Sequence, residues 1–240
     1  MTHQTSVESK VTPESKVSTA RTIMRRLPIG MPKLLAMLAE EGVPATCFTT
    51  GEVAQKYPGV VSAIVARGHE LACHGMTHRA FTSMTESEAR TEIEESARIL
   101  RRHASVTSFR APYLQLPERY VPLLEANGFA VDSSGAKYKR RSWVLGPGSE
   151  VSLTRLPASV TSSVLRLPKL LREAYLRALA SPVVLFVHPW EFVDLRRERL
   201  RLDCRFKTGD VAMACVRDVL QSFAKRGARF TTVRELGAAA

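Results

Sequence analysis

The hydrophobic positions of this chain change repeatedly between the spacing of a helix and that of a buried strand. A helical pattern runs from Pro32 to Gly42, and a short β-like run over 45–49 follows it. Proline suits the first turn of a helix and glycine its end, so these two residues mark the bounds of the helix. The pattern therefore predicts one helix followed by one strand at the start of the folded region.

The same alternation continues toward the C-terminus. Further helices are predicted over 60–66, 85–102, 117–127, from 168 onward and over 210–226. Strands are predicted over 69–73, 106–109, 129–132 and 182–188, with a last apolar run at 230–233. Helices and strands alternating at this spacing are typical of parallel strands joined by crossover helices. We predict an α/β fold, either an open sheet or a barrel.

The N-terminal segment is polar and contains the sequence Glu-Ser-Lys-Val twice, at 8–11 and 14–17. Such a segment has too little apolar surface to fold. The whole chain has 240 residues, of which 45% are hydrophobic and 24% charged, as is ordinary for a globular protein. We predict a disordered segment over 1–26 and a single folded domain over 27–238.

The cysteines and the apolar runs indicate the cellular compartment of the chain. The four cysteines have neither Cys-x-x-Cys spacing nor the density of a disulfide scaffold, which predicts reduced thiols. The first residues do not resemble a signal peptide, and no uncharged run approaches the roughly 18 residues that a membrane span requires. These features predict a cytoplasmic chain without a transmembrane segment, with the membrane surface as an alternative location.

The net charge of +12 attracts nucleic acid, anionic membrane surfaces and phosphate-bearing substrates alike. Basic residues concentrate at 137–141 and 196–207. Most charge runs are solvated surface, so we do not expect nucleic acid as a partner. A role for these runs in holding a phosphate near a pocket stays open.

Polar residues stand where the predicted strands end. Four of them occupy such ends: His74, Arg110, Asp132 and His188. Active sites of parallel barrels form at this edge. His74 and His78 are four residues apart, but Gly75 replaces the glutamate that follows the first histidine of zinc proteases and disfavours a helix there. Two close imidazoles in a loop suit a catalytic metal, and we predict His74 and His78 as its ligands.

Five short motifs occur in a fixed order along the chain. They are Ala-Thr-Cys-Phe at 45–48, Gly-His-Glu at 68–70, His-Gly-Met-Thr-His at 74–78, Arg-Ala-Pro-Tyr at 110–113 and Leu-Phe-Val-His at 185–188. In this order they resemble the polysaccharide deacetylase family, also called the NodB-homology family. The resemblance implies a distorted (β/α) barrel. It also implies a hydrolase of carbon–nitrogen bonds other than peptide bonds, which removes an acetyl or formyl group from an amino sugar.

The same resemblance implies roles for single residues. A divalent metal, most often zinc, would be held by His74 and His78 and would activate water against the amide. Arg110 would orient an aspartate base, and the backbone N–H of Tyr113 would help to hold the oxyanion. The substrate would be an N-acylated amino sugar in a polysaccharide or on a lipid-linked sugar.

A second group of roles concerns the leaving amine and the sugar ring. The resemblance implies that His188 is the general acid that protonates the amine, since an imidazole exchanges its proton near neutral pH. Asp132 would orient or tune His188. Tyr113 and Trp190 either stack on a sugar ring or pack inside the protein, and the sequence leaves both alternatives open.

One expected motif is missing. The family's Thr-Phe-Asp-Asp-Gly motif, which supplies the base and a third metal ligand from the first strand, does not occur, and no aspartate precedes Asp132. We therefore expect a barrel that lacks its first strand. Losing a general base typically costs about 10²- to 10⁴-fold in rate. The activity of this chain is accordingly expected to be impaired.

Several alternatives follow from that departure. The true start of the protein lies upstream, or the chain is a non-enzymatic barrel that binds carbohydrate, or another carboxylate substitutes. Glu52 is the nearest such carboxylate, although an acidic residue at this place is more simply part of a helix start. A metal-independent hydrolase of cyclic amides is a further alternative.

Overall fold

Five parallel strands form one sheet in the order β1 to β5. A computed structural model of the protein describes residues 13–139, 152–198, 200 and 202–239. The strands are β1 (Thr46–Thr49), β2 (Glu70–Cys73), β3 (Ser108–Phe109), β4 (Val131–Asp132) and β5 (Thr154–Arg155). This architecture confirms the predicted α/β class with a parallel sheet, as expected for a distorted barrel.

Helices connect and cover the strands. They are α1 (Pro13–Glu40), α2 (Gly51–Lys56), α3 (Pro58–Ala66), α4 (Glu86–Leu100), α5 (Val121–Ala126), α6 (Lys169–Arg177), α7 (Leu202–Arg205), α8 (Asp210–Lys225) and α9 (Val233–Ala238). Short 3-10 helices span Phe81–Ser83, Pro112–Leu114, Glu118–Tyr120, Ser162–Arg166 and Pro189–Phe192. The capping box predicted at the start of α4 is present, because Thr85 and Glu88 each bond the backbone N–H of the other.

The register of the sheet aligns the carboxyl ends of all five strands. One row of paired residues crosses the sheet through Thr49, Cys73, Phe109, Asp132 and Arg155. Residues that directly follow this row therefore meet at one edge. This is the edge at which parallel α/β proteins place their active sites.

Two apolar clusters form most of the core. In one cluster, the apolar face of α1 packs with Ile64 of α3, Phe192 and residues of α8. In the other, β2 and β3 pack against α4 and α5, with Phe109 between Phe81 and Phe129 in edge-to-face contacts. The 3.6-residue spacing of leucine and methionine in α1 produces the first cluster, as the sequence pattern predicted.

The N-terminal boundary differs from the prediction. Residues 13–26, which we expected to be disordered, continue α1, and this helix begins at Pro13 rather than Pro32. At the C-terminal part of this stretch, Arg26 pairs with Glu198, and α1 as a whole packs on the Pro189–Phe192 turn. Tertiary contacts there override the polar composition. The rest of the predicted disordered segment, 1–12, lies outside the described residues.

The predicted strand over 182–188 is also corrected. The segment is extended but is not a member of the sheet. Val184 accepts a hydrogen bond from Ser159 N and donates its own N–H to the Ser159 hydroxyl, so a side chain replaces part of the strand pairing. A hydrophobic run predicts burial, but it does not reveal whether a neighbouring strand edge is available.

Two further expectations concern the start of the sheet and the last apolar run. Among the described residues that precede β1 there is no strand. The run at 230–233 leads into α9 and forms no strand. Thr232 caps this helix by accepting from Glu235 N, which explains why the extended conformation ends there.

No disulfide joins the four cysteines, all of which lie among the described residues. Cys73 is fully buried beside Ser96, and burial raises the pKa of its thiol to about 11. A thiol that stays protonated in the core is neither a nucleophile nor a metal ligand. None of the described helices is long and apolar enough to cross a membrane.

Gly30 permits a close approach of α1 to the turn that follows His188. A Cβ atom at Gly30 would lie 1.8 Å from the Pro189 carbonyl oxygen and 2.6 Å from its carbon. Both atoms belong to backbone, so no side chain is able to move aside. The position of this turn therefore depends on the absence of a side chain at residue 30.

We expect Gly30→Ala to lower the free energy of unfolding by about 1–3 kcal/mol, because the added methyl must push α1 away from the turn. Gly59→Ala is the matched control, since nothing lies within 4 Å of a Cβ there. Urea denaturation of both variants measures the difference. Equal stability of the two variants would show that α1 moves freely on the turn.

Candidate active site

Two residues of the predicted site follow the aligned row of strand ends. His74 N donates to Thr49 O at 3.0 Å, and Arg110 N donates to Cys73 O at 2.9 Å. In the next strand, Ser133 N donates to Phe109 O at 2.8 Å. The parallel ladder thus continues by one residue beyond each strand. It brings His74, Arg110 and Ser133 side by side at the edge of the sheet.

The ring of His74 is fixed by the next strand. Its Nδ1 lies 2.6 Å from Arg110 O, and a carbonyl only accepts, so Nδ1 carries the proton and Nε2 has a free lone pair. Burial and the neighbouring His78 lower the pKa of His74 to about 3. The ring is therefore neutral at physiological pH. A neutral imidazole bonded through one nitrogen is the usual form of a histidine metal ligand.

His78 lies beside His74, as predicted for a ligand pair. The two ring centroids are 5.0 Å apart, and the ring of Tyr113 lies 5.1 Å beyond His78. His78 has a left-handed backbone with φ of 59°, which turns its ring back toward His74. Burial and the charge of nearby His188 lower the pKa of His78. All three predicted histidines therefore lie within electrostatic range of one another.

A glutamate that the sequence analysis missed holds the loop between these histidines. Glu92 of α4, only 5% exposed, accepts from Met76 N at 2.7 Å and Thr77 N at 3.0 Å, and it also bonds the Thr77 hydroxyl. Its position in α4 carries a signal, because Glu92 falls on the same helical face as Ala89, Ile93 and Ser96. A carboxylate on a buried face requires donors, and here the histidine loop provides them.

Arg110 is a buried cation beside the histidines. Its Nε donates to Ser133 O and its Nη2 to the Ser133 hydroxyl, at 3.1 and 2.7 Å. The guanidinium lies 4.3 Å from the ring centroid of Phe48 and 5.7 Å from that of Phe186. Burial lowers the pKa of Arg110 to about 10, against the opposing effect of Asp132. The arginine remains charged and has neutral hydrogen-bond partners.

His188 enters the site from the extended segment after Val184. Its Nδ1 lies 2.7 Å from Glu191 Oε1, and its ring stacks on Trp190 at 5.2 Å between centroids. Glu191 is buried and also lies 3.5 Å from Arg166 Nε. Burial raises the pKa of Glu191, but the bond from His188 and the charges of His188 and Arg166 outweigh it and lower that pKa. Glu191 is therefore an ionised partner of the His188 ring.

The predicted pairing of Asp132 with His188 is corrected by this geometry. Asp132 is buried, accepts from Ser134 N at 2.8 Å and forms an ion pair with Arg155 at 3.1 Å. Burial raises the pKa of Asp132, while Ser134 and Arg155 oppose that shift. Glu191 takes the place beside His188, because a residue three positions later in the same turn meets the ring directly.

The two aromatic residues at the site differ in environment. Tyr113 is 57% exposed and has a left-handed backbone with φ of 61°. Trp190 is half-buried and lies flat against His188. An exposed ring beside a histidine suits stacking on a sugar, whereas the indole packs on the imidazole that it supports.

The donor set fits a divalent metal only in part. His74 and His78 provide two neutral imidazoles, but the described part of the chain contains no group of three or more His, Cys, Asp or Glu side chains arranged to hold a metal. The nearby carboxylates Glu92, Asp132 and Glu191 have partners of their own. Glu52 is exposed in the first turn of α2, as its helix-start interpretation predicts. A three-ligand centre is therefore not complete here.

One family of known proteins matches part of this chain. The profile of the polysaccharide deacetylase family matches residues 27–131. The chain is similar to this family over these residues. His74, His78, Arg110 and Tyr113 lie inside the matched region, whereas His188 lies beyond it.

Two curated relatives each align with part of this chain. One is a chitooligosaccharide deacetylase of Sinorhizobium fredii, 38% identical over 89 residues, which are 36% of this chain and 41% of the relative. The other is a peptidoglycan-N-acetylglucosamine deacetylase of Bacillus cereus, 31% identical over 102 residues, which are 42% of this chain and 37% of the relative. The chain thus spans about two fifths of the length of these relatives.

Solved structures extend the likeness of fold to most of the chain. The Bc1960 peptidoglycan N-acetylglucosamine deacetylase superposes with a TM-score of 0.57 at 21% identity, over 84% of this chain and 78% of that chain. A CE4 family pseudoenzyme from Bacillus anthracis superposes with a TM-score of 0.61 at 14% identity, over 87% and 60%. At these identities the likeness establishes the fold alone.

We expect Glu92→Gln to loosen the histidine loop, because an amide has one acceptor oxygen where the carboxylate serves three donors. The free energy of unfolding should fall by about 1–3 kcal/mol. Amide hydrogen exchange at Met76 and Thr77 should accelerate. Glu94→Gln, at an exposed position of the same helix, is the control. Unchanged exchange at both amides would contradict the role of Glu92.

Proposed function

We propose that this chain is a hydrolase of the deacetylase type that removes an acetyl or formyl group from the nitrogen of an amino sugar. The observation that carries this proposal is the meeting of His74, His78, Arg110 and His188 at one edge of the parallel sheet. The relatives named chitooligosaccharide and peptidoglycan deacetylases support N-acetylglucosamine in a glycan as the substrate.

Each residue of the site has its own role in amide hydrolysis. Tyr113 offers an exposed ring for the sugar face beside the histidine pair. Arg110 contributes a fixed positive charge in a buried setting, where it stabilises the negative charge that develops on the amide oxygen. His188 protonates the leaving nitrogen through Nε2, since its Nδ1 is bonded to Glu191.

His74 and His78 are proposed as the ligands of a divalent metal, most readily zinc, because both rings are neutral and His74 presents Nε2. When bound, such a metal polarises the acyl carbonyl and lowers the pKa of water. With two ligands the affinity is expected to be lower than at a site with three protein ligands.

The rate is proposed to be impaired. In the described part of the chain, no carboxylate near the histidine pair is without a partner of its own except the exposed Glu52, which no described contact directs into the site. A site without its general base typically loses about 10²- to 10⁴-fold in rate. Slow acetate release is therefore the expected behaviour of this chain.

Glu191 is proposed as a positioning residue for His188. Because its carboxylate accepts from Nδ1, it fixes the tautomer and the orientation of the ring. Arg166 and the backbone N–H of His188 hold Glu191 in turn. This chain of contacts differs from the Asp132 arrangement that the sequence suggested.

Zinc titration and acetate release test the proposed activity. We expect the chain to bind zinc and to release acetate slowly from an N-acetylglucosamine oligosaccharide. His74→Ala should abolish both zinc binding and release, whereas His188→Ala should retain zinc binding and lose release by about 10²-fold. His103→Ala, which removes an imidazole outside the site, is the control.

The outcomes of this experiment separate the alternatives. Zinc affinity unchanged in His74→Ala would remove this residue from the metal site. Binding of the oligosaccharide without any acetate release would assign the chain as a carbohydrate-binding barrel instead. Loss of zinc in His188→Ala would make His188 a ligand rather than the acid.

A second comparison tests the positioning of His188. We expect Glu191→Gln to shift the ¹⁵N resonances of the His188 ring, because the neutral amide stabilises a proton on Nδ1 less strongly than the carboxylate does. Asp132→Asn should leave these resonances in place. Acetate release should fall by about ten-fold or more in Glu191→Gln, with KM unchanged. The reverse pattern, with a shift only in Asp132→Asn, would restore the sequence-based assignment.

A further inference from the structure

Helix α6 differs from an ordinary surface helix, because apolar side chains face solvent and a charged side chain faces the core. Its outward residues Leu170 and Leu171 are 85% and 62% exposed, and Tyr175 is exposed as well. Its inward residues include the fully buried Arg172, which donates to Leu165 O and pairs with Asp218. Two neighbouring leucines that face solvent while an arginine faces the core mark a surface that binds something apolar.

A second segment with the same character includes α7. Leu202 is 69% exposed, and Phe206, one residue after the helix, is also exposed. Arg205 lies between them and is exposed, and the ammonium of Lys207 lies 5.3 Å from the Phe206 ring centroid. Large apolar side chains and cations therefore alternate along this segment.

The two segments are anchored to one short helix, Ser162–Arg166. Arg166 Nη1 donates to Phe206 O at 2.6 Å, and Arg172 Nη1 donates to Leu165 O at 3.3 Å. Since Leu165 and Arg166 are consecutive residues, the segments lie next to each other on the molecule. We call the exposed residues of both segments, 168–175 and 202–207, the α6–α7 face.

The charge of this face is positive. Lys169 and Arg205 are exposed and form no salt bridge with any carboxylate whose side chain the structure describes. Glu173 pairs with Arg177 at 3.7 Å, so this carboxylate is compensated. The sequence from 196 to 207 contains six basic and two acidic residues. An apolar surface bordered by cations is complementary to an anionic lipid bilayer.

We propose that the α6–α7 face docks on anionic membrane surfaces, with Leu170, Leu171 and Leu202 entering the headgroup boundary and Lys169 and Arg205 contacting lipid phosphates. The face combines apolar side chains with cations at its border, which favours anionic lipid over a second copy of this chain, whose net charge is +12. This inference rests on the surface and not on the proposed deacetylation.

The docking face lies close to the candidate active site. Arg166 contacts Phe206 O on one side and Glu191 on the other, and Glu191 holds His188. Two buried residues, Arg166 and Glu191, thus connect the α6–α7 face to the ring proposed as the acid. Docking in this orientation would place the site near the bilayer, where a lipid-linked sugar is within reach.

Vesicle co-sedimentation of the full chain tests the proposal. We expect binding to phosphatidylcholine vesicles that contain phosphatidylglycerol, little binding to phosphatidylcholine alone, and weaker binding as salt is raised. Leu170→Ser with Leu171→Ser should lower the partition coefficient by about ten-fold or more, because both exposed side chains lose their apolar burial. Lys169→Glu with Arg205→Glu should lower it by at least about twenty-five-fold.

Matched controls separate this face from general electrostatic attraction. Val211→Ser replaces an exposed apolar residue of α8, and Arg67→Glu reverses an exposed cation at the end of α3. Val211→Ser should leave vesicle binding unchanged. Arg67→Glu should lower vesicle binding less than Lys169→Glu with Arg205→Glu does. Absence of binding, or equal sensitivity to Arg67→Glu, would overturn the proposal. A dimer in sedimentation velocity that the leucine variants dissociate would assign the face to a second copy.

Acetate release from a soluble oligosaccharide distinguishes a failure of docking from a failure of the proposed activity. The leucine and charge variants should release acetate at the rate of the unmodified chain, since their side chains lie outside the site. Normal vesicle binding without any acetate release would leave docking supported and the deacetylase proposal refuted. Normal acetate release without vesicle binding would leave the deacetylase proposal supported and docking refuted.

Discussion

The hydrogen bond from His74 Nδ1 to the Arg110 carbonyl connects the chemistry of this protein to its sheet. It exists because β2 and β3 are parallel and in register, so that the residues following Cys73 and Phe109 are neighbours. The bond fixes the protonated nitrogen of His74 and directs the other nitrogen away from the sheet. A shift of register by one residue would separate the two strands' polar residues and remove the site.

Each of three buried carboxylates around the site has its own hydrogen-bond or ion-pair partners. Glu92 serves the loop between His74 and His78, Glu191 serves His188, and Asp132 serves Arg155. Each pairing satisfies a charge that would otherwise be costly to bury. The same pairings occupy the carboxylates nearest to the histidines. The protein therefore presents well-oriented imidazoles with few carboxylates to act beside them.

The residues around Arg166 join three features that are distant in sequence. This buried arginine lies between the turn at Glu191 and the carbonyl of Phe206, and its neighbour Leu165 receives a bond from Arg172 of α6. Because the charged Arg172 faces inward, the neighbouring leucines of α6 face outward. The position of the candidate acid and the apolar character of the surface thus have a common structural origin.

The sequence by itself determined the class of fold and predicted most residues of the candidate site. The repeat of helical and strand spacing predicted the parallel α/β order, and polar residues at strand ends pointed to His74 and Arg110. His188 was chosen by the same argument, although its segment is not a strand of the sheet. The ordered motifs then indicated the polysaccharide deacetylase family, which the match over residues 27–131 supports.

Only the tertiary structure decided which charged groups are partners. Glu92 and Arg166 contact atoms that are many residues away in the sequence, and Glu191 meets His188 only through a turn. No local pattern therefore assigns Glu191 to His188, or Asp132 to Arg155. The extended segment at 182–188 likewise needed a neighbouring edge to become a strand. Partner choice depends on three-dimensional proximity and on burial, and these quantities arise only when the chain has folded.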